Sequence, residues 1–348
     1  GYQVGTFTSP YLISFNERIR YNFNNILDDE LLVLMNRMYA FNETYEKKYL
    51  EPLAFFELLT LMSFIYFDEK KVDVMVMEVG LGGLLDATNI LNYDVSLITS
   101  IGFDHMKQLG NTLESIAYNK LGILKPGNHL ISTVDASLHP QFIHHASSIG
   151  ASYELYTLGD VDVISYDPIL FTLHGTTYEL GVKGTYQVLN ATLSIQAIHY
   201  LFKDINAQTI QRGLKNMRWA GRLEEIEPNI YLDGAHNSHA LIALKETVEK
   251  TFKDRKVYVL FSALGDKDIP EMLKIIKSFA HQVILTSFPD SRFLDLSDLK
   301  SSDDLYILDT KTALAHIKSM LSPNDILICT GSLHLIGYLK SHWKVLTH

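Results

Sequence analysis

Residues 72–89 read "VDVMVMEVGLGGLLDATN". The run 72–77 has the length and apolar, β-branched content of a strand buried in a sheet, and the glycines at 80, 82 and 83 open a turn behind it. A glycine-rich turn after a buried strand resembles a phosphate cradle. This one opens on a carboxylate, Glu78, and carries a second, Asp86. Anions repel phosphates, so either the turn serves another purpose or something positive stands between.

Outward from this stretch, short apolar runs alternate with helical stretches. "VDVMVMEV", "DVSLITSIG" and "NHLISTV" read as strands, and "NTLESIAYNKLGIL" and "HPQFIHHASSI" as helices. Such alternation predicts a parallel sheet flanked by helices. "YELYTL", "DVDVISY" and "ILFTLHGTTYEL" then crowd together with β-branched and aromatic residues, which predicts a small antiparallel excursion. Helices are expected over 187–202 and 206–217. After "MRWAGRLEEIEPN" a second series begins, with strands at "IYLDGA", "KVYVLFSAL", "HQVILTSF", "LYILD" and "DILICTG", and helices starting at Ser238, Ile269, Thr312 and Leu333. The fold class is therefore α/β with two doubly wound domains, 1–217 and 218–348. The first 70 residues predict helices over 29–42 and 52–67. "GYQVGTFTS" reads as the end of a helix entering a strand, so the chain is expected to begin downstream of its natural N-terminus.

Length and composition agree with two soluble domains. The chain has 348 residues, 47% hydrophobic and 20% charged, enough for two separate cores. Its net charge of −10 is uneven, with 15 basic and 23 acidic residues up to Arg218 and 15 and 17 beyond it. That surface repels nucleic acid and anionic membranes, and small anionic substrates need a local cation or metal. No apolar run reaches the roughly 18 residues of a membrane span, which predicts a cytoplasmic protein. The single cysteine, Cys329, lies within an apolar run, reads as a core residue and fits a reducing compartment.

Glu78 follows the first central strand and His105 closes "ITSIGFDH". Ligands collect at the carboxyl edge of open α/β sheets, so both side chains are expected in one crevice. A carboxylate and an imidazole there suit Mg²⁺ completed by water and phosphate oxygens; the alternative is a strand-end Glu held by backbone amides and a capping His. A dinucleotide fingerprint would need glycine at 85, where Leu85 stands. Lys120 falls on the apolar stripe of Leu113, Ile116, Ala117 and Leu124. A buried amine loses its proton more readily and can take up CO₂ as a carbamate, although a lysine near a helix end can also snorkel to water. In "YLDGAHN", Asp233 and His236 follow a strand, with Asn237 or Ser238 able to cap the next helix. Arg222 in "WAGRLEE" is placed either to clamp phosphates or to pair with Glu224 or Glu225.

Taken in order, "GTFTSPYLISFNERI", "EVGLGGLLDATN", "ITSIGFDH", "LGNTLESIAYNKLGILKPG", "GTYQVLNATLSIQAI", "WAGRLEEI", "LDGAHN" and "GSLHLIGYL" resemble the successive blocks of the folylpolyglutamate synthases, including the bifunctional dihydrofolate synthases, within the Mur ligase group. The resemblance implies a Mur-ligase-like ATP-binding domain followed by a Rossmann-like glutamate-ligase domain. It implies a monomeric, ATP-dependent amide ligase that joins L-glutamate to folate or dihydropteroate through an acyl phosphate. By matching positions it implies that Ser9, Glu78 and His105 hold Mg²⁺ and that Lys120 is a carbamylated lysine serving a second Mg²⁺ or the acyl phosphate. Gln187, Asn190, Arg222 and Asp233 match nucleotide-binding positions, with His236 in the same block.

The sequence departs from the family at Tyr11, Leu84, Asn119, Tyr186 and Ser238, where His, Arg, Glu, His and Pro are usual. Leu84 and Asn119 each remove a charge near the catalytic edge. The family's glycine-rich ATP loop, G-x-x-x-x-G-K-[ST], precedes the block that opens this chain, and no Gly-Lys dipeptide occurs in it. The polypeptide as written is therefore expected not to turn over. Two alternatives stay open: a catalytically silent nucleotide-binding relative, and a Mur-group ligase acting on another carboxylate.

Overall fold

The uninterrupted apolar runs of the second half become the centre of a six-stranded sheet. In the computed structural model, which describes residues 1–265 and 267–347, its order is Glu224–Glu227, Ile230–Leu232, Ile326–Thr330, Val257–Phe261, Gln282–Leu285 and Leu305–Tyr306. All neighbours are parallel except the first pair. Helices on both faces explain why no alternation is legible in these strands. Val257, Val259 and Phe261 enter one core with Leu241, Leu244, Met272 and Ile276. Tyr258 and Leu260 enter the other with Ile284, Leu314, Ile317 and Leu335. Cys329 belongs to this second core, where burial pushes its thiol well above the ordinary range. The helices start where a side chain satisfies a free backbone amide: Asn237 caps Ser238–Thr251, Asp268 caps Ile269–Lys277 and Asp309 caps Thr310–Met320.

The first half is divided further. One mixed sheet runs Asn24–Asn25, Ile19–Tyr21, Val4–Phe7, Val74–Met77, with only the last pair parallel. Helices Asp28–Tyr49 and Phe55–Glu69 cover it through Phe7, Ile19, Leu34, Leu59 and Phe67. A parallel sheet of Val95–Ile98, His129–Ser132 and Ser152–Leu155 packs on Leu113–Leu121 and His139–Ser148 through Leu130, Ile116, Leu121 and Phe142. A third, antiparallel sheet joins Asp162–Tyr166, Ile169–Leu173 and Thr176–Glu179, and packs on Gln187–Leu201 and Ala207–Asn216.

Several expectations need correction. The stretch "YELYTL" is the parallel edge strand Ser152–Leu155 and not part of the antiparallel excursion. "ILFTLHGTTYEL" is two strands, because His174 and Gly175 both take positive φ and reverse the chain. The first helix continues to Tyr49, and the second begins at Phe55, past Pro52. Asp309 moves the predicted start at Thr312 back to Thr310. His105 does not end a strand, since Val95–Ile98 stops earlier and His105 caps the short helix Met106–Leu109 with φ 49°. The edge strand Glu224–Glu227, with three glutamates among its four residues, carried no apolar signal. Among the described residues no helix is long and apolar enough to cross a membrane.

Candidate active site

Parallel pairing of Phe7 with Met77 brings two strand ends side by side. The Glu78 amide continues the ladder to the Phe7 carbonyl at 2.9 Å, and the Ser9 amide donates to Glu78 Oε2 at 2.7 Å. Glu78 opens on a cavity of about 320 Å³ that Ser9, Arg20, Arg218, Trp219, Arg222 and Lys340 also line. The crowded walls raise the Glu78 pKa by desolvation, against the Ser9 amide and the charges of Arg222 and Arg18. Arg18 is itself stacked over Tyr11 and Phe15, at 5.1 and 5.6 Å from the ring centroids, and Arg20 lies 5.7 Å from the centre of the Trp219 ring. Tyr11 thus replaces the usual histidine with an aromatic support for a guanidinium.

The glycine turn after Glu78 serves packing. A Cβ on Gly83 would lie 2.9 Å from the Asn119 carbonyl and 3.0 Å from that of Lys120, so only glycine lets the loop reach the helix Leu113–Leu121. The Leu84 amide donates to the Asn119 carbonyl at 2.8 Å. The Asn119 amide in turn donates to the carbonyls of Leu109 and Ser115, both at 3.1 Å. Leu84 itself abuts Gly122. The loop–helix contact is thus made by backbone groups, while the Asn119 side chain binds within its own helix and to the preceding one. Asp86 is also local: Oδ1 accepts from the amide and hydroxyl of Thr88 and Oδ2 from the Leu81 amide. The carboxylate closes its own loop and faces no phosphate. Gly83→Ala should lower stability by about 1–3 kcal/mol, the usual range for overpacking, measurable as a fall in denaturation midpoint.

Beyond the turn lies a second cavity, of about 240 Å³, lined by Gly80, Asp104, His105, Lys120, Asn237 and His239. Desolvation lowers the Lys120 pKa, opposed by the charge of Asp104. His105 is exposed, with Nε2 3.9 Å from Asp104 Oδ2. Glu78 and His105 therefore line separate cavities with no wall residue in common, so the expected single crevice is not formed, and Lys120 accompanies His105.

A third cavity, of about 210 Å³, is walled by Tyr186, Gln187, Asn190, Ser194, Trp219 and Arg222. Asn190 Nδ2 donates to Gln187 Oε1 at 3.1 Å, at the start of the helix Gln187–Leu201. Arg222 and Trp219 belong to both this cavity and the one that holds Glu78. No carboxylate of the described residues forms an ion pair with Arg222. Its neighbour Glu224 pairs with Lys340 and accepts from the Gly221 amide, and Glu225 accepts from the Asn229 amide. A Cβ on Gly234 would come within 2.5 Å of an Arg222 terminal nitrogen, so this glycine makes room for the guanidinium. Asp233 is buried, and its oxygens accept from the amides of Leu223 and Ala235, both at 2.9 Å. It ties together the loop that presents Arg222 and His236. His236 Nδ1 lies 2.8 Å from the Gly234 carbonyl, and burial lowers its pKa. A neutral ring with its proton on Nδ1 leaves Nε2 as an acceptor.

Sequence reasoning missed Asp104, Arg18 and Trp219. Asp104 sits beside a histidine that drew all the attention, although "FDH" held a signal. Trp219 and Arg18 act by stacking, which spacing does not reveal.

Glu78 Oε2 accepts from the Ser9 amide, and no hydrogen bond among the described residues reaches Oε1, which leaves one carboxylate oxygen for a hard cation. No group of three or more His, Cys, Asp or Glu side chains among the described residues could hold a metal on its own. A cation here would need water or substrate oxygens to complete its shell.

Residues 24–198 match the Mur ligase middle domain, and residues 221–333 match the Mur ligase glutamate ligase domain. The dihydrofolate synthase/folylpolyglutamate synthase of Bacillus subtilis strain 168 is 37% identical over 366 residues, covering 99% of this chain and 85% of that protein. The crystal structure of folylpolyglutamate synthase from Thermotoga maritima is 28% identical with a TM-score of 0.83, covering 99% of this chain and 82% of that one. The folylpolyglutamate synthase of Mycobacterium tuberculosis, solved with ADP and AMPPCP, shares the fold at a TM-score of 0.88 and 24% identity, covering 100% of this chain and 85% of that one.

Proposed function

Because the chain belongs to the Mur ligase family, in the group of dihydrofolate synthases and folylpolyglutamate synthases, we propose that it joins L-glutamate to a folate-type carboxylate in an ATP- and Mg²⁺-dependent amide ligation. The observation that carries this reading is Arg222, a guanidinium that makes no contact ion pair among the described residues, is shared by two cavities and acts through its charge on Glu78. In a net-acidic protein such a cation suits a phosphate chain.

The γ-phosphoryl group of ATP passes to the folate carboxylate, giving an acyl phosphate and ADP. The amine of glutamate then forms a C–N bond at the acyl carbon and phosphate leaves. Mg²⁺ supplies neutralisation of the charge on the phosphoryl group in transfer. Ser9 and Glu78 would hold it, and His105 would face a second ion from the separate cavity of Lys120. The desolvated Lys120 amine is suited to carbamylation, in which Nζ bonds the carbon of CO₂ and loses a proton. Gln187 and Asn190 line the nucleotide cavity, and Arg222 spans from it to the reacting phosphate. His236 Nε2, left as an acceptor on the loop that presents Arg222, would accept a hydrogen bond from a ligand hydroxyl. Asp233 acts through the loop it ties. Residues 1–217 and 218–348 work as two lobes, in a monomer of the reducing cytoplasm, which the single buried cysteine suits.

The test is ADP release by the full-length protein, with dihydropteroate and tetrahydrofolate side by side. Release is expected only when a pterin acceptor and glutamate are both present. Release without glutamate, or none with either acceptor, refutes the reading and leaves the silent relative or another carboxylate substrate.

A further inference from the structure

The cavity that holds Lys120 is built from both halves of the chain. Gly80, His105 and Lys120 come from the first, Asn237 and His239 from the second. Two contacts close the seam at this cavity, while farther along the helix Ser238–Thr251 the Thr185 amide donates to Thr247 Oγ1 at 3.0 Å and joins the halves at a second point. Asn237 Nδ2 donates to Asp104 Oδ2 at 2.8 Å. The His239 ring lies against Gly102, where any Cβ would collide with it.

Asn237 cannot turn its amide freely. Its Oδ1 caps the helix Ser238–Thr251 by accepting from the Ala240 amide at 2.8 Å, so Nδ2 must point away from the helix, toward Asp104. Asp104 is equally committed, since Oδ1 accepts from the His105 amide at 2.9 Å. One carboxylate thus fixes the backbone of His105 and grips the opposite helix terminus. The titratable groups facing it are His105, Lys120, Lys267, His236 and His239.

We propose that the Asp104–Asn237 hydrogen bond is a latch that sets the closed register of the two halves, making both of them positioning residues for the ligation. The proposal rests on the ligase reading for its kinetic consequence. Its structural consequence stands without it. When the latch opens, Asn237 and His239 leave the cavity wall, and the glutamate amine, the acyl group and Lys120 lose their common frame. A misplacement of an ångström is enough to cost about 100-fold in rate.

Asn237→Asp isolates the latch. Aspartate caps a helix as well as asparagine, so the helix persists, but two carboxylates now face each other. Combining it with Asp104→Asn reverses the donor: the amide introduced at position 104 offers its nitrogen to the carboxylate introduced at position 237 and keeps its oxygen for the His105 amide. The N237D protein is expected to lose about 10- to 100-fold in kcat, to melt near the wild-type temperature, and to give a more extended small-angle scattering profile. D104N/N237D is expected to return the compact profile and most of the lost rate. A compact N237D protein with wild-type kcat, or a double variant as open and slow as N237D, overturns the latch. Should the wild type release no ADP with pterin and glutamate, the ligase reading falls, and the scattering profiles of the three proteins still decide the latch.

Discussion

Arg222→Ala is expected to lower kcat/KM for ATP by about 10²- to 10³-fold, equivalent to roughly 3–4 kcal/mol of transition-state stabilisation. The size follows from placement. The guanidinium lines the cavities of both Gln187 and Glu78, where no carboxylate of the described residues comes within ion-pair distance of it. Its charge pulls against the desolvation of Glu78 and Asp233. Gly234 is kept free of a side chain to admit it. A preorganised cation in a walled cleft acts on developing phosphoryl charge without reorganising. Arg222→Lys should recover only part of the rate, because an ammonium provides a point charge in place of a planar fork. Removing the cation deprives Glu78 of a favourable charge, so its pKa should rise further and the acidic limb of the pH–rate profile should move to higher pH. Steady-state ADP release by the three proteins checks this. Loss of less than tenfold in the alanine variant would place the phosphates elsewhere.

The sequence carried the second half of the fold well, because five of its six strands are apolar runs between capped helices and Asn237, Asp268 and Asp309 announce where helices start. It carried the sixth strand of that sheet, and the first half, less well. Glu224–Glu227, at the junction of the halves, pairs through its backbone and hides in a run of glutamates. The parallel pairing of Ser152–Leu155 depends on which neighbour is nearest in space, which "YELYTL" does not encode. The candidate site divides in the same way. Glu78, Lys120 and Arg222 were legible because a charge where apolar residues or glycines dominate costs energy and needs a reason. Asp86 looked similar and was not, since its three partners lie within five residues and only coordinates reveal them. The role of Gly83 stayed open for a related reason. A phosphate cradle and a close helix contact require the same absence of Cβ, and residue type alone does not separate them.

Lys120→Met should abolish the proposed ligation while leaving the fold at least as stable. Its position explains why the two effects separate. Neighbours Ile116, Ala117 and Leu121 are core residues at 1%, 0% and 0% exposure, so the Lys120 stem leaves a well-packed helix face for the cavity of Asp104 and His105. Methionine replaces that stem with little change in volume. The wild-type amine has a pKa below that of ordinary lysine because desolvation outweighs the Asp104 charge. For a base held low in the folded state, the sign is fixed. The folded protein bears a cost at any pH where the amine must stay protonated, and that cost is relieved as pH rises through its lowered pKa toward the ordinary lysine value. Wild-type stability should therefore climb across that alkaline window relative to K120M, which has no proton to lose there. Activity moves the other way. Without a nitrogen there is no carbamate and no anionic group to face the acyl phosphate, and a loss of about 10³-fold is expected, as for removal of one preorganised group aimed at a reacting centre. Thermal melting against pH, run beside ADP release and ¹³C spectra of protein in labelled bicarbonate, resolves the two effects. A K120M enzyme within tenfold of wild type, or a labelled carbamate signal that survives in K120M, would remove Lys120 from the chemistry and leave it a lysine tolerated at a cavity wall.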